Sequence, residues 1–168
     1  MPEIMPEIIM DTCVLSNFAL SQSLFILKSC YSYKIYITSF ALAEIMKGIQ
    51  RGYEELTEVK KALTDGWLIE THLKTAKEME LFERLIISLG TGESSSISVS
   101  KSRGFTFASD DLRARREAAL LNVPLTGTIG ILVKAVKSKV ITVQRGETIL
   151  ARMKEHGFYA PISSIRKI

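Results

Sequence analysis

Five carboxylates in this 168-residue chain stand where a sheet-and-helix fold can gather them: Asp11, Glu44, Glu93 and the adjacent Asp110 and Asp111. Asp11 closes the apolar run Ile8-Ile9-Met10, and the aspartate pair closes Phe105-Thr106-Phe107-Ala108-Ser109. Short apolar runs of this kind read as buried parallel strands. Both acids then belong at strand carboxyl ends, where open α/β sheets place their ligands. Glu44 is a single acid among Phe40, Ala41, Leu42, Ala43, Ile45 and Met46; a buried, partnered acid and a plain exposed glutamate both fit that setting. Glu93 opens a serine-rich helix after Gly90-Thr91-Gly92. Carboxylates clustered without basic partners repel and raise one another's pKa. A divalent cation that prefers hard oxygen ligands, Mg²⁺ or Mn²⁺, resolves the conflict. Such an ion polarises a phosphodiester and activates an attacking water. The chain shows no Ser/His/Asp or Cys/His set and no glycine-rich phosphate loop. Chemistry alone therefore points to metal-dependent hydrolysis of phosphoesters.

The elements that must position these acids alternate. After the first strand, Thr12 and Ser16 offer capping chemistry for a short helix, with helix continuing over residues 21–29. Lys34-Ile35-Tyr36-Ile37 reads as a second strand, and Thr38 or Ser39 caps the helix that carries Glu44. Residues 53–63 are amphipathic, Asp65-Gly66 is a turn, and Trp67-Leu68-Ile69 is a third strand. Residues 74–89 repeat Ala76, Met79, Phe82, Leu85, Ile86 and Leu89 on one helical face, with Glu78, Glu80, Glu83 and Arg84 on the solvated side. Past the serine helix come the strand to Ala108, a helix over residues 112–121, a minimal strand at Pro124-Leu125, and a helix capped by Thr126 or Thr128. A final helix covers residues 144–155 and ends at Gly157. This order predicts a three-layer α/β/α sandwich around a short parallel sheet of four or five strands, in one domain spanning residues 1–168.

Composition narrows the class. Hydrophobic residues are 46% and charged residues 24%, ordinary for a globular protein with a packed core. Without an apolar span or a signal-peptide pattern, the expectation is a cytoplasmic protein with no membrane partner. Cys13 and Cys30 form neither a metal spacing nor a disulfide framework and read as small core residues. His72 and His156 read as surface positions. The opening Met-Pro-Glu-Ile occurs twice, at residues 1–4 and 5–8, and carries no function. Charge is uneven: residues 1–100 hold 9 Lys/Arg against 13 Asp/Glu, whereas residues 101–168 hold 13 against 5. The basic half is either a solvated face or a surface that meets phosphate.

The motifs together resemble the PIN domain family. Ile8-Ile9-Met10-Asp11-Thr12-Cys13-Val14-Leu15 is similar to its opening motif, a strand ending in Asp-Thr before a short apolar helix. Ser39-Phe40-Ala41-Leu42-Ala43-Glu44-Ile45 resembles the second motif, whose glutamate is the second acid. Leu89-Gly90-Thr91-Gly92-Glu93-Ser94-Ser95-Ser96-Ile97 and Ala108-Ser109-Asp110-Asp111-Leu112-Arg113-Ala114-Arg115 resemble the third and fourth in a prokaryotic VapC-like subgroup. Gly127-Thr128-Ile129-Gly130-Ile131-Leu132 and Gly157-Phe158-Tyr159-Ala160-Pro161-Ile162-Ser163 are similar to that subgroup too. The chain departs from the pattern at Ser94, Ser95 and Ser96, where alanines and a second acid are usual, and at Glu93, where many members carry aspartate.

The resemblance implies a Mg²⁺- or Mn²⁺-dependent endoribonuclease. It implies metal ligation by Asp11, Glu44, Glu93 and Asp110 or Asp111, with the hydroxyls of Thr12 and Ser109 orienting the ligands. It further implies a homodimer and, as the toxin of a VapBC-type pair, a cognate antitoxin. On that reading Lys101, Arg103, Arg113, Arg115 and Arg116 lie near the acidic mouth and meet RNA phosphates, unless some of them pair with Glu117 or the site acids. Two alternatives stand beside it. One is a PIN-like domain without catalysis that binds RNA or a protein. The other is a different α/β phosphotransfer class. Haloacid-dehalogenase enzymes need an aspartate two residues after the first, where this chain has Cys13. A receiver domain needs its acid pair before the phosphorylated aspartate, but here the pair comes at the fourth strand.

Overall fold

Ile8, Ile9 and Met10 form β1 (Ile8–Met10), and all three side chains are fully buried. A computed structural model describes residues 7–32 and 34–167, so most of the doubled Met-Pro-Glu-Ile start lies outside the described residues. β1 is the middle strand of a five-stranded parallel sheet in the order β3-β2-β1-β4-β5. Its neighbours are β2 (Ile35–Thr38) and β4 (Thr106–Ala108), and β3 (Leu68–Thr71) and β5 (Leu125–Thr126) are the edges. Side chains alternate across the pleat. Ile8, Met10, Ile35 and Ile37 enter one core, and Ile9 and Phe107 enter the other.

The first core takes in Val14, Leu15 and Phe18 of α1 (Thr12–Leu20), the buried residues of α2 (Phe25–Tyr31), and those of α8 (Thr128–Lys137) and α9 (Val143–Glu155). Ala41 and Ile45 of α3 (Ser39–Gln50) and Val59 and Ala62 of α4 (Thr57–Asp65) complete it. On the opposite face lie α5 (Ala76–Leu85), α6 (Thr91–Arg103) and α7 (Leu112–Leu120). This is the expected α/β/α arrangement, with helices on both faces of a parallel sheet. The chain winds outward from β1 through β2 to β3, then returns to β4 on the other side of β1. α1, following β1, therefore covers one face, and α7, following β4, covers the other. The connections leave the sheet in opposite directions, which opens a crevice at the carboxyl ends of β1 and β4.

Local details correct several expectations. Asp11, rather than Thr12 or Ser16, caps α1, because its carboxylate accepts the Thr12 N–H at 2.9 Å. α2 begins at Phe25, after turns through Gln22 and Ser23, rather than continuing from residue 21. The segment predicted as one helix over 53–63 is a 3₁₀ turn at Glu54–Leu56 followed by α4. α6 starts at Thr91, inside the Gly90-Thr91-Gly92 break. Neither Thr126 nor Thr128 caps α8: Gly127 holds that position, and the Thr128 hydroxyl is directed to Asp110.

The buried stripe of α5 is also rotated from the predicted one. Met79 and Ile86 are exposed, while Glu78, placed on the solvated side by the sequence pattern, is only 1% exposed. The reason is Arg103. Its Nε donates to Glu78 Oε2 at 3.0 Å, and its Nη groups donate to Glu78 Oε1, Thr71 Oγ1 and the His72 carbonyl. Burial pushes the Glu78 carboxyl up, but these bonds and the N–H groups of Lys74 and Thr75 outweigh it and leave the group below its ordinary range. Cutting one partner from a buried ion pair strands the other charge and costs about 3–5 kcal/mol. Arg103→Ala is therefore expected to lower unfolding free energy in urea by about 3 kcal/mol or more. An unchanged midpoint would contradict that.

Candidate metal centre

At the crevice, Asp11 is held from three sides. Its Oδ1 accepts the Thr12 N–H, and its Oδ2 accepts the Ser109 hydroxyl at 2.8 Å and faces Cys13 Sγ at 3.6 Å. Ser109 in turn accepts the Asp111 N–H at 3.1 Å, which ties the β1 acid to the β4 loop. Asp11 is only 3% exposed. Burial pushes its carboxyl up to about 6 against the lowering effect of its hydrogen bonds, and the Glu44 charge adds to the rise.

Glu44 is exposed, and its carboxylate faces this cleft: Oε2 accepts the Thr12 hydroxyl at 2.7 Å. Glu93, in the first turn of α6, accepts the Gly90 N–H at 3.3 Å. Burial and then the charges of Asp11 and Asp111 push its carboxyl up to about 6. These five acids, with Thr12, Cys13, Phe158 and Tyr159, line one cleft of about 450 Å³. The sequence-predicted acids thus face a single space and not separate surfaces.

The aspartate pair divides by environment. Asp110 is heavily bonded: Oδ1 accepts the Thr128 N–H at 2.9 Å, and Oδ2 accepts from Asn17 Nδ2 at 3.1 Å and from the Thr128 hydroxyl. Asp111 caps α7 through Oδ1 to the Ala114 N–H at 2.9 Å, and its Oδ2 accepts no hydrogen bond among the described residues. Asp111 is also the aspartate of the pair whose charge acts on Glu93.

Two glycines make room for this arrangement. A Cβ on Gly92 would fall 2.8 Å from Glu44 Oε1, and one on Gly127 would fall 2.7 Å from Asp110 Oδ1. Side chains there would displace both carboxylates.

Electrostatics fit a cation. Among the described residues the one ion pair is Arg103 with Glu78, so no cleft acid has a basic partner within 4.0 Å. The geometry is open: among the described residues no three Asp, Glu, His or Cys side chains stand close enough to chelate one ion as they are. An all-protein cage is not built. A few carboxylates with water completing the shell is the coordination Mg²⁺ prefers, and the donor set of hard oxygens fits that ion or Mn²⁺.

The basic residues separate into two groups. Lys101 and Arg103 lie eight and ten residues along α6 from Glu93, about 12 and 15 Å at 1.5 Å per residue. They are at the far end of that helix and not at the mouth, where the sequence reading put them. Lys101 Nζ donates to the Leu121 carbonyl, and Arg103 is committed to Glu78. α7 carries the others. Arg115 Nη1 donates to the Ser109 and Thr126 carbonyls at 2.7 and 2.8 Å, beside Asp110. Arg113 reaches the Ser88 carbonyl, and Arg116 is exposed.

Sequence reasoning missed Asn17, Thr128, Phe158 and Tyr159 at the site. Cys13, read as a core residue, does pack against the first core, but from a half-buried position that also lines the cleft wall. Burial and the neighbouring Asp11 push that thiol well above its usual range, so it stays a neutral donor.

The five-stranded parallel sheet thus carries these acids at its switch-point crevice, with no basic partner among the described residues. The chain belongs to the PIN domain family: a family model described as a PIN domain matches residues 7–168. PIN domains are typically nucleases that use divalent metal ions. A comparison with curated proteins finds no match. Among the described residues no helix is long and apolar enough to cross a membrane.

Proposed function

We propose that this protein is a Mg²⁺- or Mn²⁺-dependent endoribonuclease, with Asp11, Glu44, Glu93 and Asp111 as the metal-binding carboxylates. The observation that carries this reading is a buried aspartate, without a basic partner, facing three more acids across one cleft. A bound divalent ion would neutralise the cleft, polarise the phosphodiester and activate water. The chain's own residues set the geometry. Ser109 and the Thr12 N–H fix both oxygens of Asp11, and the Thr12 hydroxyl turns Glu44 inward. Such bonds hold ligating carboxylates in place. Asp110 acts as a brace between α1 and α8 through Asn17 and Thr128. Asp111→Asn is accordingly expected to weaken Mn²⁺ binding at unchanged melting temperature. Asp110→Asn is expected to lower the melting temperature first. Equal effects of the two on metal affinity would contradict the division.

RNA phosphates meet α7 at Arg113, Arg115 and Arg116. The double variant Arg113→Ala/Arg116→Ala should weaken RNA binding. Its log–log salt dependence should flatten by about 1.4, two contacts at ~0.7 each for a single strand. An unchanged affinity and slope would remove α7 from the RNA path.

The nuclease reading is tested by incubating purified protein with single-stranded RNA in Mn²⁺ and in excess EDTA. Cleavage in the first and none in the second is the expected result. The reading of a lapsed domain that binds RNA or protein without cutting draws on the carboxylates standing apart, and Mn²⁺ binding without cleavage would favour it. The VapC-like motifs support a toxin of a VapBC-type pair, acting as a homodimer restrained by an antitoxin. Growth arrest on expression, relieved by a co-expressed product of a neighbouring small reading frame, is the test.

A further inference from the structure

The acidic cleft shares Asp110, Phe158 and Tyr159 with a second, larger hollow of about 680 Å³. That hollow lies between α7, β5, the start of α8 and the segment after α9. Its walls are mainly apolar, with Leu112, Leu125, Ile129 and Pro161, and Arg115 is at the rim. Leu112 is an exposed large apolar residue, and Tyr159 is 95% exposed. This tyrosine does not sit on a loose tail. Gly157, at φ +97°, turns the chain back on α9, and the Phe158 N–H donates to the Met153 carbonyl at 3.0 Å. Farther on, Ser164 and the Arg166 N–H both bond Glu147, and Ile165 is buried in the first core. The ring is held on a platform fastened at both ends, on the ridge between an acid cleft and an apolar hollow.

We propose that this hollow is a nucleobase subsite for single-stranded RNA, with Tyr159 as the stacking surface for a base next to the scissile phosphate. The proposal rests on the endoribonuclease reading. A strand whose phosphate lies in the acid cleft and whose next base enters the hollow runs along Tyr159, because the two spaces share that wall. A base is flat, apolar on its faces and polar at its edges. The hollow matches this with an aromatic ridge, aliphatic walls and a guanidinium. Arg115 uses Nη1 for two carbonyls and keeps its Nε and Nη2 donors without a partner among the described residues. The hollow's volume is within the range that encloses a small organic ligand. A base in a duplex is already stacked and cannot enter, so the subsite selects unpaired RNA. Aromatic stacking tolerates every base, so Tyr159 sets affinity and position more than sequence. A protein partner seated on the same ridge is the competing occupant, but it gives no reason for the continuity with the acid cleft.

The test uses the whole protein with Mn²⁺ and a single-stranded oligoribonucleotide cut at one site. Tyr159→Ala should raise KM roughly ten- to a hundredfold, the scale of one lost stacking contact, with kcat within about threefold. Tyr159→Phe should behave as wild type, because the ring and not the hydroxyl does the stacking. Replacing one base beside the cut by an abasic residue should reproduce the KM rise in wild type and add nothing in Tyr159→Ala. That non-additivity marks a shared contact. An unchanged KM in Tyr159→Ala, or abasic and alanine effects that simply multiply, overturns the subsite. If the wild type cuts no RNA, the nuclease reading fails, and fluorescence of a 2-aminopurine-labelled strand in EDTA decides the subsite separately. Quenching on wild type that is lost in Tyr159→Ala supports it. Absence of quenching on wild type, or equal quenching on both, overturns it.

Discussion

Asp11→Asn is expected to reduce Mn²⁺-dependent RNA cleavage by about a thousandfold or more while the protein stays folded. The magnitude follows from losing several kcal/mol of charge stabilisation at a metal-assisted reaction centre, at 1.36 kcal/mol per decade of rate. Folding survives because asparagine can replace the two shorter local bonds, losing only the weak one from the Cys13 thiol. Its carbonyl oxygen can accept the Thr12 N–H, and its amide can donate to the Ser109 hydroxyl, in the positions Asp11 occupies now. The same substitution removes a charge from a site that burial penalises. The inactive variant should therefore be more stable than wild type when both are free of metal. Activity loss with gained stability separates a functional acid from a structural one. Circular dichroism melts in EDTA alongside single-turnover cleavage read both sides. A variant that cuts RNA at the wild-type rate, or that unfolds, would refute the role given to Asp11.

The second large effect is a pH dependence with an inverted sign. Most carboxylates that matter to a fold have lowered pKa values, and acid destabilises the protein. Asp11 and Glu93 are pushed up to about 6 from the ordinary 3.8 and 4.5. The folded chain then holds their protons more tightly than the unfolded chain does. Between about pH 4 and pH 6.5 the unfolded chain releases those protons first, so their contribution to stability falls as pH rises. For Asp11 alone the shift amounts to about 3 kcal/mol at 1.36 kcal/mol per unit, or roughly 6–12 °C in Tm for a chain of this size. The lowered Glu78 carboxyl works in the opposite direction, so the wild-type curve is a sum of both. The difference between wild type and Asp11→Asn isolates the term: no gap near pH 4, and a gap favouring the variant near pH 7.5. Saturating Mn²⁺ at pH 7.5 should raise the melting temperature of wild type and have little effect on the variant. A gap that grows toward low pH would have the wrong sign for this site.

What the sequence disclosed depended on range. The strands at Ile8–Met10 and Thr106–Ala108 were visible because each lies in a short, mostly apolar run that leads into acid. Their adjacency in the sheet placed Asp11 beside the aspartate pair. The serine-rich segment gave a weak helical signal because serine is a mediocre helix former. In the fold its small side chains let α6 pack against α3 and α5, and Ser94, Ser95 and Ser96 are fully buried. Glu78 was misread because the i, i+3, i+4 pattern counts an acid as solvent-facing, and its partner Arg103 lies 25 residues away. The same contact removed Arg103 from the RNA-facing set. Asn17 and Thr128 were hidden for a related reason: Asn17 reaches Asp110 across 93 residues and Thr128 across 18, and no local spacing encodes either bond. Tyr159 was in view within Gly157-Phe158-Tyr159, but its position on the ridge depends on how the chain folds back after α9.

Calorimetric titration of Mn²⁺ into the metal-free protein at pH 7.5 tests the central claim most directly. Saturable binding in wild type, abolished in Asp11→Asn and weakened in Glu93→Gln and Asp111→Asn, is the expected result. Wild-type protein that binds no Mn²⁺, or binds it equally well after Asp11→Asn, would mean that these carboxylates share a cleft without sharing an ion.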